Sequence, residues 1–135
     1  MIVAEINNDL KKQFEEEGFL ILPQFLDTTK ITNIANKFED LFSGMFETGI
    51  EPDEWNWRKG RDPNNVTRQI CNGWKSDTLI KNFVCHRIIG KACAELMNWK
   101  GSKLIQDNVL WKPPGGKTLG YHKMLLMMIG LSLKL

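Results

Sequence analysis

Two segments near the start of the chain repeat their apolar residues at helical spacing. The first runs from Leu10 to Glu17 and predicts a helix that Gly18 ends and that one of three residues caps: Asn7, Asn8 or Asp9. The apolar run Phe19–Leu22 follows and predicts a short strand that Pro23 limits or places at an edge.

The second helical segment is capped by one of three residues, Asp27, Thr28 or Thr29, and ends at Ser43-Gly44. Its apolar positions recur every three or four residues: Ile31, Ile34, Ala35, Phe38, Leu41 and Phe42. A stripe of this kind is typical of a helix that packs on a core.

Residues 47–75 show no regular period, because glycine, proline and asparagine interrupt the pattern throughout. The segment also carries large rings at Trp55, Trp57 and Trp74. An aperiodic stretch of this length inside a small domain favours a packed binding loop over a linker. The run at 57–61 is basic, but neighbouring acids argue against a nucleic-acid patch.

Asp77 starts another helical region, with apolar residues at Leu79, Ile80, Phe83, Ile88, Ile89, Ala92, Cys93 and Leu96. His86 lies inside it and is interpreted as a structural or surface residue, because no second ligand stands three or four positions away. The run Lys103–Trp111 then alternates and predicts a strand. Gln106 and Asn108 share one of its faces and Asp107 lies on the other, so one face is expected to line a polar cavity.

Composition adds few constraints to this pattern. The chain has 135 residues, of which 42% are hydrophobic, and its net charge is +2. These values are typical of one globular domain, with no overall field that would attract nucleic acid or a membrane. The thiols Cys71, Cys85 and Cys93 lack zinc-site spacing, and the N-terminus has no long apolar run. We therefore expect a cytoplasmic protein whose thiols are reduced and either buried or without a chemical role.

Two segments carry a resemblance to a known family. Phe14–Leu26 forms a helix-Gly-Phe-strand unit, and Leu110-Trp-Lys-Pro-Pro-Gly-Gly116 is followed by Gly120-Tyr-His122. In this order and at this distance they resemble the phytanoyl-CoA dioxygenase family, over most of the chain up to His122. The resemblance implies an α+β chain in which N-terminal helices pack on the first strands of an incomplete double-stranded β-helix, the jelly roll of that family.

The resemblance also implies a chemistry and a set of site residues. Enzymes of this family are Fe(II)- and 2-oxoglutarate-dependent dioxygenases that hydroxylate a small-molecule substrate, and His122 would be the first ligand of their two-histidine, one-carboxylate iron site. Gln106 and Asn108 match positions that line the 2-oxoglutarate pocket. Arg68 matches a basic residue that pairs with a cosubstrate carboxylate; its alternative is a solvated loop cation. Lys112 belongs to the Lys-Pro-Pro element and either binds the cosubstrate or only shapes the turn.

The sequence departs from the family directly after His122. It continues Lys123-Met124, where the family has any residue followed by Asp. If one nucleotide were lost after codon 122, the original frame would read Asp or Asn across Lys123-Met124 and Asp-Asp across Met127-Met128-Ile129, whereas the other shifted frame meets a stop codon. We therefore expect residues 1–122 to be the N-terminal part of a dioxygenase-like domain and 123–135 to be an aberrant hydrophobic tail.

The 135-residue chain would then lack the Asp, the second His and the Arg of the family's site, and we expect it to be inactive by itself. The main alternative is a binding or interaction module that uses the same helices and Trp-rich loop without metal. A third possibility is an enzyme of another class that acts through Glu95 or His86. The sequence leaves the substrate and the oligomeric state open.

Overall fold

A computed structural model describes residues 5–23, 25 and 28–116, so His122 and the tail at 123–135 lie outside the described residues. Within these ranges the chain forms four α-helices: α1 (Asn8–Glu17), α2 (Thr28–Phe42), α3 (Thr78–Val84) and α4 (Arg87–Leu96). A 3₁₀ turn spans Gly73–Lys75, and there are three strands: β1 (Glu54–Trp55), β2 (Arg68–Cys71) and β3 (Asn108–Trp111). In the described ranges no helix is both long and apolar enough to cross a membrane.

The three strands form one antiparallel sheet in the order β1-β2-β3. Ile70 at the centre pairs with Trp55 on one side and with Val109 on the other, while Arg68 lies opposite Trp111. Side chains of directly paired residues project from the same face of a sheet. Trp55, Arg68, Ile70, Val109 and Trp111 therefore share one face.

This face packs on the helices and forms the hydrophobic core. Leu41 and Phe42 of α2, Ile80 of α3 and Ile70 of β2 are all at most 2% exposed and belong to one cluster. Val109, Ile34 and Trp57 complete the buried part of that cluster. Helices on one side of an antiparallel sheet define an α+β arrangement, as the sequence predicts.

The predicted helices are present, and the caps of α1 and α3 are confirmed, whereas Asp27, one of the candidate caps of α2, lies outside the described residues. Asn7 accepts a hydrogen bond from the Leu10 amide at the start of α1, and Gly18 ends the helix with a φ of +76°. Asp77 caps α3 by accepting from the amides of Leu79 and Ile80. The helical region after Asp77 is interrupted, however, because His86 adopts an extended backbone conformation and caps a separate helix, α4.

The strand predictions need correction. The predicted strand at Phe19–Leu22 is wrong: this segment is in no sheet among the described residues, and its Ile21 is 72% exposed. The predicted loop at 47–75 instead contains both β1 and β2. The predicted strand Lys103–Trp111 is only Asn108–Trp111 in the structure, because Arg68–Cys71 of β2 offers four partners.

Close contact between α2 and β1 depends on one glycine. Gly44, just after α2, has a φ of +82°, and a Cβ atom there would lie 2.3 Å from Cη2 of Trp55. The Trp55 ring in turn meets the Phe46 ring edge-on, with centroids 5.1 Å apart. Glycine is therefore required at position 44 for both backbone and packing reasons.

Candidate functional site

Polar side chains occupy the face of the sheet opposite the core. Gln69 and Cys71 of β2 pair with Leu110 and Asn108 of β3, and we call these four residues the amide face. The Gln69 Nε2 atom donates to Asn108 Oδ1 at 3.1 Å. Leu110 remains 46% exposed, so the described residues leave part of this face open to solvent.

Gln106 and Cys71 meet next to the amide pair. Burial raises the pKa of the Cys71 thiol, and the nearby acids Glu54, Asp53 and Asp107 raise it further, while a hydrogen bond with Gln106 acts in the opposite direction. A thiol with a raised pKa is protonated at neutral pH and is a poor nucleophile. Cys71 therefore serves this face as a small, neutral packing residue.

Arg68 lies on the opposite face, inside a cage of aromatic rings. Its guanidinium carbon is 3.7 Å from the ring centroid of Trp57, 4.3 Å from that of Trp111 and 5.8 Å from that of Phe42. The nearest carboxylate oxygen, from Glu39, is 3.6 Å from Nη1, which is longer than a hydrogen bond. Arg68 is only 9% exposed, so the alternative of a solvated loop cation is wrong.

The structure does not bring the predicted cosubstrate residues together. Asn108 lies on the amide face and Gln106 contacts Cys71 there, whereas Arg68 faces the core on the other side of the sheet. Lys112 follows β3 directly and is exposed. Binding of 2-oxoglutarate by these residues stays a prediction, and His122 lies outside the described residues.

A polar latch joins the end of β2 to the segment before β3. Asn72 has a φ of +58°, and its side-chain oxygen accepts from the Asp107 amide at 3.2 Å and from Trp74 Nε1 at 3.3 Å. Its Nδ2 donates to Asp53 at 2.6 Å. The Asp107 carboxylate in turn accepts from the Trp74 amide at 3.1 Å. We call Asp53, Asn72, Trp74 and Asp107 the latch; it fixes the chain on either side of the amide face.

Burial of Asp107 has an electrostatic cost. The carboxyl group is 8% exposed, its Oδ2 has no hydrogen-bond partner, and burial raises its pKa, although amides of Trp74 and Gly73 partly offset this. Alternation along the sequence places Asp107 on the face opposite Gln106 but does not indicate the latch. The signal that could have indicated it is the dipeptide Asn72-Gly73, which is typical of a tight turn.

The one predicted iron ligand, His122, lies outside the described residues. Across 5–23, 25 and 28–116, no three His, Cys, Asp or Glu side chains are placed to hold a metal ion. His86 uses Nδ1 to accept from the Ile88 amide at 3.2 Å, as the structural interpretation expects.

A depression of about 260 Å³ lies elsewhere, between the end of α2 and the start of α3. Three of its four charged side chains are engaged: Asp77 pairs with Lys37 at 3.5 Å, and Glu47 accepts from both the amide and the hydroxyl of Thr78. These contacts lower the pKa of Glu47 and stabilise the start of α3. The depression is therefore a structural junction.

No family model, curated protein or solved structure matches the chain.

Proposed function

We propose that this chain is the N-terminal part of an Fe(II)/2-oxoglutarate-dependent dioxygenase domain of the phytanoyl-CoA dioxygenase type, with the cosubstrate on the amide face. The observation that carries the proposal is the one-sided packing of the sheet. Ile70 and Val109, the buried residues that the sheet contributes to the core cluster, lie on the helix side. The other side carries the Gln69–Asn108 pair, the exposed Leu110 and the buried Cys71.

One-sided packing is what the first sheet of a jelly roll requires. In such a fold two sheets pack face to face, and the side that carries no helices meets the second sheet. Three strands with one polar face are compatible with the first part of that architecture. The proposal also requires further strands that close the jelly roll. Neither those strands nor His122 are among the described residues.

The chemistry of the amide face suits recognition of a carboxylate. Asn108 Oδ1 already accepts from Gln69, so the Asn108 NH₂ group remains as a donor. Gln106 and Lys112 are exposed and add donors close to β3. In the proposed enzyme, iron, 2-oxoglutarate and dioxygen together supply the oxidant, and the role of this chain is to orient the cosubstrate and to contribute His122 as one iron ligand.

The first test is the nucleotide sequence of the gene through codon 122. We expect codon 123 to be AAG, because the restored frame then reads GAT, an Asp codon, across Lys123-Met124. An AAA codon there gives Asn instead and would contradict the frameshift part of the proposal. A stop codon in the restored frame at or before codon 135 would also contradict the frameshift part of the proposal.

The second test compares the 135-residue chain with the product of the restored frame. We expect only the latter to convert 2-oxoglutarate to succinate in the presence of Fe(II), measured by succinate release. His122→Ala should lower that rate at least about 100-fold, since an iron ligand is lost. The matched control is His86→Ser, which removes the other histidine but keeps an N-cap and should leave the rate unchanged.

Two outcomes would contradict the proposal. If the 135-residue chain itself converted 2-oxoglutarate to succinate in the presence of iron, the expectation that it is inactive would be wrong. If the restored-frame protein binds neither iron nor 2-oxoglutarate, the metal-free interaction module would replace the enzyme as the better interpretation.

A further inference from the structure

Positive charge is concentrated in one segment of the chain, although the overall balance is nearly even. Residues 87–103 contain four cations, Arg87, Lys91, Lys100 and Lys103, against a single acid, Glu95. This segment alone therefore carries +3, while the whole chain carries only +2. The net charge of the molecule hides a local positive field.

The structure brings these cations to one side of α4. Arg87, Gly90, Lys91 and Ala94 are three or four positions apart and so lie on one helix face. The loop that follows α4 returns to this face, where Ser102 Oγ donates to the Gly90 carbonyl at 2.7 Å and would lie 3.2 Å from a Cβ atom at Gly90. Lys100 and Lys103 are thereby held near the face that carries Arg87 and Lys91.

The cations of this surface differ from those around the sheet. Lys59, Arg61 and Lys75 each form an ion pair with an acid. In the described part of the chain, Arg87, Lys100 and Lys103 form none, and Lys91 pairs only with Glu95 at 3.5 Å. Their charge is therefore available to a partner outside the described residues.

A tryptophan stands among these cations in a fixed position. Asn98 has a φ of +52°, its amide donates to the Glu95 carbonyl, and the Trp99 amide donates to the Ala94 carbonyl, which together form a Schellman motif at the end of α4. The residue after the left-handed position usually packs back on its helix, but Trp99 is 51% exposed. Ile105, a few residues later, is 75% exposed.

We propose that this surface, made of Arg87, Lys91, Trp99, Lys100 and Lys103 and called here the basic edge, docks on an anionic lipid membrane. Lysine and arginine side chains are attracted to anionic headgroups, and tryptophan is the side chain best suited to the headgroup boundary. Ile105, two positions after Lys103 and 75% exposed, adds an aliphatic side chain that lipid can accept and that cannot stack on a base, which favours lipid over nucleic acid. This inference is independent of the proposed dioxygenase function and departs from our expectation, based on net charge, of no membrane partner.

The test is co-sedimentation of the full chain with phosphatidylcholine vesicles, with and without phosphatidylserine. We expect binding only when phosphatidylserine is present. The double variant Lys100→Gln/Lys103→Gln should bind about 25-fold more weakly, since each basic residue near the surface contributes about a fivefold factor. The matched control Lys59→Gln/Arg61→Gln removes the same charge from paired cations and should change binding by less than about twofold.

A spectroscopic readout separates docking by the basic edge from general charge attraction. We expect tryptophan emission to shift to shorter wavelength on phosphatidylserine vesicles, and the shift to be lost in Trp99→Phe. The proposal is overturned if vesicles with and without phosphatidylserine bind equally or if the control loses as much binding as the test variant. It is also overturned if an oligonucleotide, but no vesicle, binds through Lys100 and Lys103.

Discussion

Arg68 combines a charge with an almost fully apolar environment. Two tryptophan rings lie within 4.3 Å of its guanidinium carbon, and its Nε atom is buried without a hydrogen-bond partner. A planar guanidinium stacks on aromatic faces and is more weakly hydrated than an ammonium group. The rings therefore provide much of the stabilisation that hydrogen bonds normally give a buried cation.

The aromatic cage around Arg68 predicts that lysine cannot replace it. We expect Arg68→Lys to lower the free energy of unfolding by about 2 kcal/mol, because the charge is kept but the stacked plane is lost. Urea denaturation measures the change. Arg58→Lys is the matched control, since Arg58 stacks on the single ring of Trp55 and is less buried; it should cost under about 1 kcal/mol. If Arg68→Lys left the free energy of unfolding unchanged, the charge attraction to Glu39 would be enough to stabilise a cation at position 68 without stacking.

The helices and strands differ in how well the sequence predicts them. Caps at Asn7 and Asp77 and the stripe in α2 are local signals, so these helices could be found directly. β1 has two residues and β2 reads Arg-Gln-Ile-Cys, which has no alternation of apolar residues to detect. Both strands exist because of partners far along the chain, which local patterns do not encode.

The same reason limits what could be predicted of the candidate site. Gln69 and Asn108 are 39 positions apart, so their hydrogen bond follows only from the register of β2 with β3. The alternation predicted for Lys103–Trp111 did place Asn108 and Asp107 on opposite faces. The burial of Arg68 on the core face could be predicted only if β2 were known to be a strand. No local feature of 47–75 indicated that strand.

The latch between β2 and β3 depends on one side chain, because Asn72 forms hydrogen bonds with all three of its other members. Asn72→Gly keeps the positive φ but loses the side-chain bonds to Asp53, Trp74 and Asp107, and we expect a loss of about 2 kcal/mol in unfolding free energy. Asn72→Ala should lose about 1 kcal/mol more, because alanine resists the left-handed region. Equal losses in the two variants, measured by urea denaturation, would show that the backbone conformation at 72 carries no strain.

At the scale of the whole molecule, the buried carboxyl group of Asp107 and the more exposed ones of Asp53 and Asp62 make stability depend on pH in opposite directions. Contacts with Lys75 and Arg61 lower the pKa values of Asp53 and Asp62, so their contribution is present above the usual value of 3.8 and is lost as the pH falls. Burial raises the pKa of Asp107, so the folded state keeps that proton longer than the unfolded state. Its stability contribution is therefore lost as the pH rises through the raised pKa.

Asp107→Asn should reveal this opposition. The unfolding free energy of the variant minus that of the wild type should become more positive as the pH rises from about 4 to about 7, because the variant no longer loses stability by ionising Asp107. Asp62→Asn should show the reverse trend at lower pH, below the usual value of 3.8, since the pKa of Asp62 is lowered. Chemical denaturation at each pH measures both. A difference for Asp107→Asn that is constant with pH would contradict the assignment.

The turn at Gly44 limits which substitutions the chain can accept. At Gly49 and Gly60 the backbone also has a positive φ, but a Cβ atom at either position would have nothing within 4 Å, so asparagine is a tolerable exchange there. At Gly44 even the smallest side chain would collide with Trp55. The same substitution that Gly49 and Gly60 accept would therefore force Trp55 of β1 away from the end of α2 if it were made at Gly44.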